Sequence, residues 1–271
     1  MIHKRILISG STDGIGKQTA LELALSGQEV IIHGRDPEKV RQTTQEISKK
    51  ADNGLVDGLT ADFKSLDQVR KMVDELYGKY DYLDVLINNA GIYMNNYELS
   101  EDGYEMTFAV NHLATFMLSL KLLQLVKRSY QGRIITVASA AHESSTSLDF
   151  KQLQHRAEYN AYDAYAQSKL CNVLFCYELH EKLKNTPITS NCLHPGVINT
   201  KLLHQAFSIN GDATEEGAST SIYLAIAPEL ENISGKYFVQ KKIKRSSRYS
   251  YDPEMRKKLW EVSEKLSNTP Y

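Results

Sequence analysis

Tyr165 and Lys169 stand four positions apart in "YAQSK", with a serine between them and no acid beside them. Four residues of helix rise roughly 6 Å and return to nearly the same face, so two such side chains can meet. An ammonium beside a phenol favours the phenolate and lowers a pKa that is otherwise about 10. At about 4 Å and an effective dielectric of about 20 the attraction is about 4 kcal/mol, or about 3 pK units before desolvation of the lysine is subtracted. A tyrosine tuned this way can trade a proton at neutral pH. One other of the 16 tyrosines, Tyr237, has a lysine four residues on. Its flanks read as a strand, where that spacing spans roughly 13 Å. A solvated helix pair is the bland alternative for Tyr165 and Lys169, so the rest of the chain must decide.

A second chemical signal lies near the start. In "ISGSTDGIGKQTA" (8–20) an apolar strand runs into a glycine-rich turn and then a helix. Gly10, Gly14 and Gly16 allow a sharp turn and a close backbone approach, and a pyrophosphate would sit at the helix amino terminus. The spacing is G-x-x-x-G-x-G, not the widely used G-x-G-x-x-G. A nucleoside-triphosphatase loop fits worse: Ser11 stands where its first glycine belongs, and Gln18 replaces its hydroxyl ligand for magnesium.

These groups need elements to hold them. "RILIS" (5–9), "EVIIH" (29–33), "LVDGLTA" (55–61), "LDVLIN" (83–88), "GRIITVAS" (132–139), "ITSNCLH" (188–194) and "KYFVQ" (236–240) read as strands, with helix-period segments between them. That alternation predicts a parallel, doubly wound α/β sheet with helices on both faces, and one domain over 1–271. Such sheets bind ligands beyond the carboxyl ends of their strands. Seven strands are expected.

Bulk properties exclude other classes. Hydrophobic residues at 42% and charged residues at 24% suit an ordinary globule, and the formal charge of −1 leaves no basic footprint for nucleic acid. "KKIKR" (241–245) reads as a solvated edge. No apolar run of membrane-spanning length is seen, and "HKRILIS" reads as a first strand rather than a secretory core. Cys171, Cys176 and Cys192 suggest neither a disulfide framework nor a metal motif, and a cytoplasmic setting is expected. Cys176 and His180, one helical turn apart, lack a third ligand nearby.

With the glycine spacing, "NNAG" after strand four, Ser139 ending strand five, and Tyr165–Lys169 in that order, the chain resembles the short-chain dehydrogenase/reductase family. It is most similar to the branch of retinol dehydrogenases and related carbonyl reductases, down to "HPGVINT" and the final-helix segment "DPEMRKKLWEVSEKL". The resemblance implies a Rossmann-type domain. It implies Tyr165 as general acid/base, Lys169 as the group that lowers its pKa and bonds the nicotinamide ribose, and Ser139 as the holder of the substrate oxygen. Asn111 would order a water linking Lys169 to solvent. The cofactor would contact Gly10, Ser11, Thr12, Asp13, Gly14, Ile15 and Gly16, then Asp62 and Phe63 near the adenine. Asn88, Asn89, Ala90 and Gly91 would follow after strand four, with Pro195, Gly196, Val197 and Thr200 at the nicotinamide end. Asp62 and Thr200 could instead serve as helix caps.

The choice of nicotinamide cofactor turns on "VIIHGRDPEK". Enzymes selecting NAD(H) end this strand with a carboxylate for the ribose hydroxyls. Against the family pattern Gly34 holds that position and Arg35 follows, which favours the 2′-phosphate of NADP(H). Asp36 reads as a helix cap with Pro37 in the first turn, pointing away from the ribose.

The substrate side is less legible. Tyr93 and Met94 in "IYMNNY" (92–97), with Leu202, Leu203 and Phe207, suggest an apolar wall and a lipophilic or aromatic aldehyde, ketone or alcohol. A mobile lid is expected over about 201–213. His142 reads equally as a substrate contact or a loop residue, and Tyr159 and Tyr162 as packing or pocket wall. "NHLATFMLSLKLLQLV" and the helix after Tyr165 offer faces for a homodimer or homotetramer. The reading from another class is a catalytically idle dinucleotide-sensing protein, against which the complete Ser139–Tyr165–Lys169 set argues.

Overall fold

The computed structural model describes residues 3–52, 54–145, 148, 159–207 and 209–271. One eight-stranded sheet forms its centre, in the order β3-β2-β1-β4-β5-β6-β7-β8. These are β1 (Arg5–Ile8), β2 (Glu29–Gly34), β3 (Val56–Thr60), β4 (Val85–Asn88), β5 (Arg133–Val137), β6 (Thr189–His194), β7 (Tyr237–Val239) and β8 (Lys242–Lys244). The first seven pair in parallel and β8 pairs antiparallel with β7. The expected seven-stranded sheet is therefore corrected to eight. The added strand is formed by "KIK", the core of the basic run read as a solvated edge, and all three residues are exposed. It is reached through a two-residue turn in which Gln240 and Lys241 take φ of 49° and 62°. Such turns ordinarily carry Asn or Gly, so the local sequence gave no hairpin signal. Lysines on an edge strand also disfavour pairing with another sheet.

Strand alternation divides the core into two layers. Leu7, Ile31, Leu86 and Ile134 face α3 (Leu66–Lys79), α5 (Ala114–Lys127), α6 (Ala161–Lys182) and α9 (Pro253–Ser267). Ile8, Ile32, Ile87 and Val137 face α1 (Gly14–Leu25), α2 (Pro37–Ala51) and α8 (Thr214–Ile226). Strand order reverses between β1 and β4, so the ligand crevice lies beyond the carboxyl ends of these central strands.

A short helix α4 (Met106–Phe108) enters α5 through a π-helical turn, Ala109–Leu113, which holds Asn111. The continuous helix Met106–Lys127 is 22 residues long and apolar enough to cross a bilayer by composition, a run the sequence reading did not count. Within the fold 89% of its most apolar window is buried, and its Leu and Phe residues belong to the α3–α6 core layer. Lys121, Gln124 and Lys127 supply its outward face, so its apolar side is spent inside the chain.

Candidate active site

The turn after β1 depends on its glycines. Gly10 has φ +64°, and a Cβ there would stand 2.8 Å from the Ala90 Cα. At Gly16 a Cβ would lie 2.3 Å from the Gly10 carbonyl oxygen and 2.4 Å from the Asn89 Nδ2. The loop therefore touches both its own helix and the loop after β4. Ser9 Oγ accepts hydrogen bonds from the Asn89 and Ala90 amides at 3.0 Å each, and Asn89 Nδ2 donates to the Ser9 and Gly10 carbonyls at 2.9 Å. Ser11 is fully buried and donates to Ile8 O at 2.7 Å, and Thr12 packs on Gly34. Asp13 is the N-cap of α1, accepting from Gly14 N, and pairs with Lys201. Its carboxylate is thus held by the cap and the lysine, and the loop's backbone forms the cradle. That glycine-lined cradle at a helix amino terminus fits the phosphates of a dinucleotide.

Behind it stands His33 of β2, which is buried. Its Nε2 donates to the Ala61 carbonyl at 3.0 Å and its Nδ1 accepts the Gly10 amide at 3.1 Å, a single neutral tautomer. Its ring stacks on Phe63 at 4.3 Å. Burial, opposed by the Ala61 bond, lowers its pKa to about 4. Phe63 is correspondingly a core residue. Asp62 accepts from the Lys64 amide at 3.1 Å, a local turn and not the helix cap weighed for it, since the N-cap of α3 is Ser65; its own amide donates to Gln68.

A Cβ at Gly34 would lie 2.6 Å from the Thr12 Cγ2. Any side chain there, a carboxylate included, would have to displace the Thr12 side chain. Arg35 is exposed and forms no ion pair among the described residues. Asp36 is the N-cap of α2 and accepts from Glu38 N and Lys39 N at 3.0 and 3.2 Å, with Pro37 at the helix start.

At the other end of the crevice, α6 carries Tyr165 and Lys169 beneath β5 and β6, both buried. They and Ser139 line one cavity of about 380 Å³ together with Asn89, Gly91, Pro195, Gly196, Val197 and Thr200. Ser139 follows β5 by two residues and caps the 3₁₀ turn Ala140–Ser144 through its Oγ, which accepts from Ala141 N at 3.2 Å. Asn111 is fully buried: its Oδ1 accepts from Ile92 N at 2.8 Å, and its Nδ2 donates to Ile92 O and Ser168 Oγ. A Cβ on Gly91 would meet Lys169 Nζ at 3.3 Å and Asn111 Oδ1 at 3.5 Å, so all three converge.

The proton inventory corrects the spacing argument. Burial pushes the Tyr165 phenol up to about 12, with its Ser139 hydrogen bond working the other way. Burial also pulls Lys169 down to about 8. Lys169 Nζ donates to Val137 O at 3.1 Å and stands 5.6 Å from the Tyr165 ring centroid. Desolvation is the leading cause of both shifts, and no attraction between the two groups offsets it. At neutral pH the phenol keeps its proton.

The substrate half is aromatic and apolar. The Tyr93 ring lies 5.5 Å from Tyr165 and 5.9 Å from Phe207, and Tyr162 stands 6.0 Å from Phe207. Leu202, Leu203 and Ile209 line the same cavity. Tyr159 instead donates to Met94 O at 3.0 Å and contacts the buried Glu105 carboxylate, fixing the 92–97 loop. The presumed lid is not irregular throughout: Lys201–Ala206 forms α7, capped by Thr200 Oγ1 on Leu203 N, and Ile198 bridges to Asp212. Ser208 lies outside the described residues.

His142 is not in the cavity wall. It is buried behind Ser139, whereas His194 at the end of β6 lines the cavity with its Nδ1 unbonded and its pKa lowered to about 4 by burial, His142 and Lys169. Sequence reasoning missed Ser9, His33 and His194. The first two act on a neighbouring strand, which no local pattern shows. The signal for His194 is local: in "HPG" it is a titratable group at a strand's carboxyl end. Of the decoys, Tyr237 is buried while Lys241 is exposed in the turn after β7, and His180 bonds Ser234 Oγ at 2.9 Å.

The chain matches the short chain dehydrogenase family over residues 4–210 and belongs to it. Members are oxidoreductases that use a nicotinamide dinucleotide and act on alcohols and carbonyls. Among curated proteins it is similar to human "Retinol dehydrogenase 13", 38% identical over 97% of this chain and 84% of that one. It is likewise similar to human "Polyprenol dehydrogenase", 36% identical over 95% of this chain and 83% of that one. A solved structure of a putative uncharacterized protein from Mycobacterium paratuberculosis superposes with a TM-score of 0.83, 30% identity and coverage of 99% and 94%. A putative short chain dehydrogenase from Escherichia coli CFT073 complexed with NADPH shares the fold, with a TM-score of 0.74, 23% identity and coverage of 89% and 98%.

Proposed function

We propose that this chain is an NADP(H)-dependent oxidoreductase interconverting lipophilic or aromatic carbonyls with their alcohols. The observation that carries the reading is the meeting of Ser139, Tyr165 and Lys169 in one cavity also lined by Tyr162, Leu203 and Phe207, with the Tyr93 ring packed against Tyr165 and Phe207. When bound, the nicotinamide supplies or accepts the hydride. Tyr165 gives its proton to the carbonyl oxygen in reduction and takes one back in oxidation. Ser139 holds that oxygen with its Oγ–H. Lys169, ammonium at neutral pH, steadies the charge on the phenolate that forms and reaches the ribose. Asn111, anchored on the Ile92 backbone, orders a water for returning protons to Lys169.

Selection of NADP(H) rests on three groups of this chain. Gly34 leaves no carboxylate to repel a phosphate, Arg35 has no competing ion pair among the described residues, and Asp36 is committed to the α2 cap. The apolar wall supports a lipophilic substrate, as do two relatives named for retinol and polyprenol. A screen of aldehydes and ketones for loss of NADPH absorbance tests the proposal. Turnover of aromatic or long-chain aldehydes with NADPH is expected. Cofactor binding without turnover across the screen would leave a dinucleotide sensor instead.

A further inference from the structure

The closest hold on Ser139 comes from outside the cavity. His142 has no exposed surface, and its Nδ1 lies 2.6 Å from the Ser139 carbonyl oxygen. A carbonyl only accepts, so Nδ1 carries the proton. Nε2 then has a free lone pair, and it accepts the Ser247 amide at 3.0 Å, across 105 residues of chain. One neutral tautomer satisfies both bonds. The His142 amide also donates to Ser139 O at 3.2 Å, and its ring packs edge-on against Tyr237 at 5.0 Å.

The far end of this link is itself fixed. Ser246 Oγ bonds Tyr177 OH and Ser250 Oγ at 2.7 Å each, Ser250 Oγ donates to Ser247 O at 2.6 Å, and Ser246 N donates to Tyr251 OH at 3.2 Å. Tyr177 belongs to α6, the helix that carries Tyr165 and Lys169. Residues 246–251 thus form a hydrogen-bonded knot anchored on the catalytic helix. The last residue of β5 paired with β6 is Val137, so the Ser139 backbone lies beyond the ladder. His142 replaces that missing support.

We infer that His142 is a positioning residue which, by bonding Ser139 O and Ser247 N–H together, fixes the turn that presents Ser139 Oγ and couples the 246–251 knot to turnover. The inference rests on the proposed role of Ser139. It predicts an effect on turnover from a single backbone N–H that touches neither substrate nor cofactor. Ser247→Pro deletes the donor, and its Cδ, standing where the amide proton now points at His142 Nε2, also pushes the imidazole away, so the link is broken on both sides. Ser247→Ala retains it.

The test measures kcat, KM, NADPH affinity and melting temperature of the full chain, with all-trans-retinal or the fastest aldehyde of the screen. Ser247→Pro should lower kcat roughly ten- to a hundredfold, the scale of a small misplacement of a reacting group, with NADPH affinity unchanged. Ser247→Ala should stay near wild type. His142→Asn, whose Nδ2 can still reach Ser139 O, should keep more kcat than His142→Phe, which can bond neither partner. If Ser247→Pro does not fold, the Asn and Phe pair decides. Wild-type kcat in folded Ser247→Pro, or equal kcat in the Asn and Phe variants, overturns the inference. Ser139→Ala in the same assay separates the two claims. If it retains full turnover, the role of Ser139 itself fails; if it collapses while Ser247→Pro does not, only the clasp fails.

Discussion

His33 gives the phosphate loop a pH dependence that can be calculated. Its pKa is lowered to about 4 in the fold, and the ordinary value is 6.5. The unfolded chain therefore binds the extra proton first as pH falls. The stability associated with neutral His33 is complete above the unfolded value and is lost on acidification towards the folded one. Linkage over that interval gives about 2 kcal/mol lost by about pH 5 and about 3 kcal/mol by about pH 4. Other buried histidines, His112, His142 and His194, add losses of the same sign, so total stability is not the readout. The readout is the difference between wild type and His33→Asn, whose side chain does not titrate. Urea unfolding of both from neutral pH down to about pH 4 should show the wild type falling by about 3 kcal/mol more than the variant. NADPH affinity of the wild type should weaken in the same interval, because protonated Nδ1 cannot accept the Gly10 amide. Parallel stability curves would refute the account of a buried neutral imidazole holding this loop.

Replacing Arg35 with alanine should weaken NADPH binding by about 1.5–3 kcal/mol, the worth of hydrogen bonds to a charged group, and leave NADH binding nearly unchanged. Titration of both proteins with both cofactors checks this, and equal losses would remove Arg35 from the site. Gly34→Asp should lower both stability and NADPH affinity, since a Cβ there already meets Thr12 at 2.6 Å; a melting curve and a cofactor titration read the two effects. Hydrogen exchange over residues 201–213 should slow when NADPH and substrate bind, as a segment closing over the cavity requires. Slow exchange in both states would make it fixed scaffold.

The parts of the site that sequence revealed are those encoded in short range. Gly10, Gly14 and Gly16 answer to backbone geometry within one turn, "DPE" to the rules of a helix start, and Tyr165 with Lys169 to the helical repeat. The proton state of that pair was not legible, because it depends on burial by β5, β6 and the aromatic wall. His33 and His142 were not legible as supports, because each acts on a loop from another strand or segment, and strand adjacency is a property of the assembled sheet. α7 escaped notice for a different reason: six residues are too few to show a period. β8 escaped because three exposed residues bury nothing and leave no alternation to read.

The central claim is that Tyr165 moves the proton at the carbonyl oxygen. Tyr165→Phe removes one hydroxyl from a buried ring and leaves its packing against Tyr93 nearly intact. Steady-state turnover of this variant with NADPH and the best aldehyde of the screen is the most direct measurement. The account predicts a kcat lower by roughly 10²–10⁴ with NADPH affinity retained, while Lys241→Ala, in the turn after β7, stays at wild type. Near-normal turnover in Tyr165→Phe would contradict it.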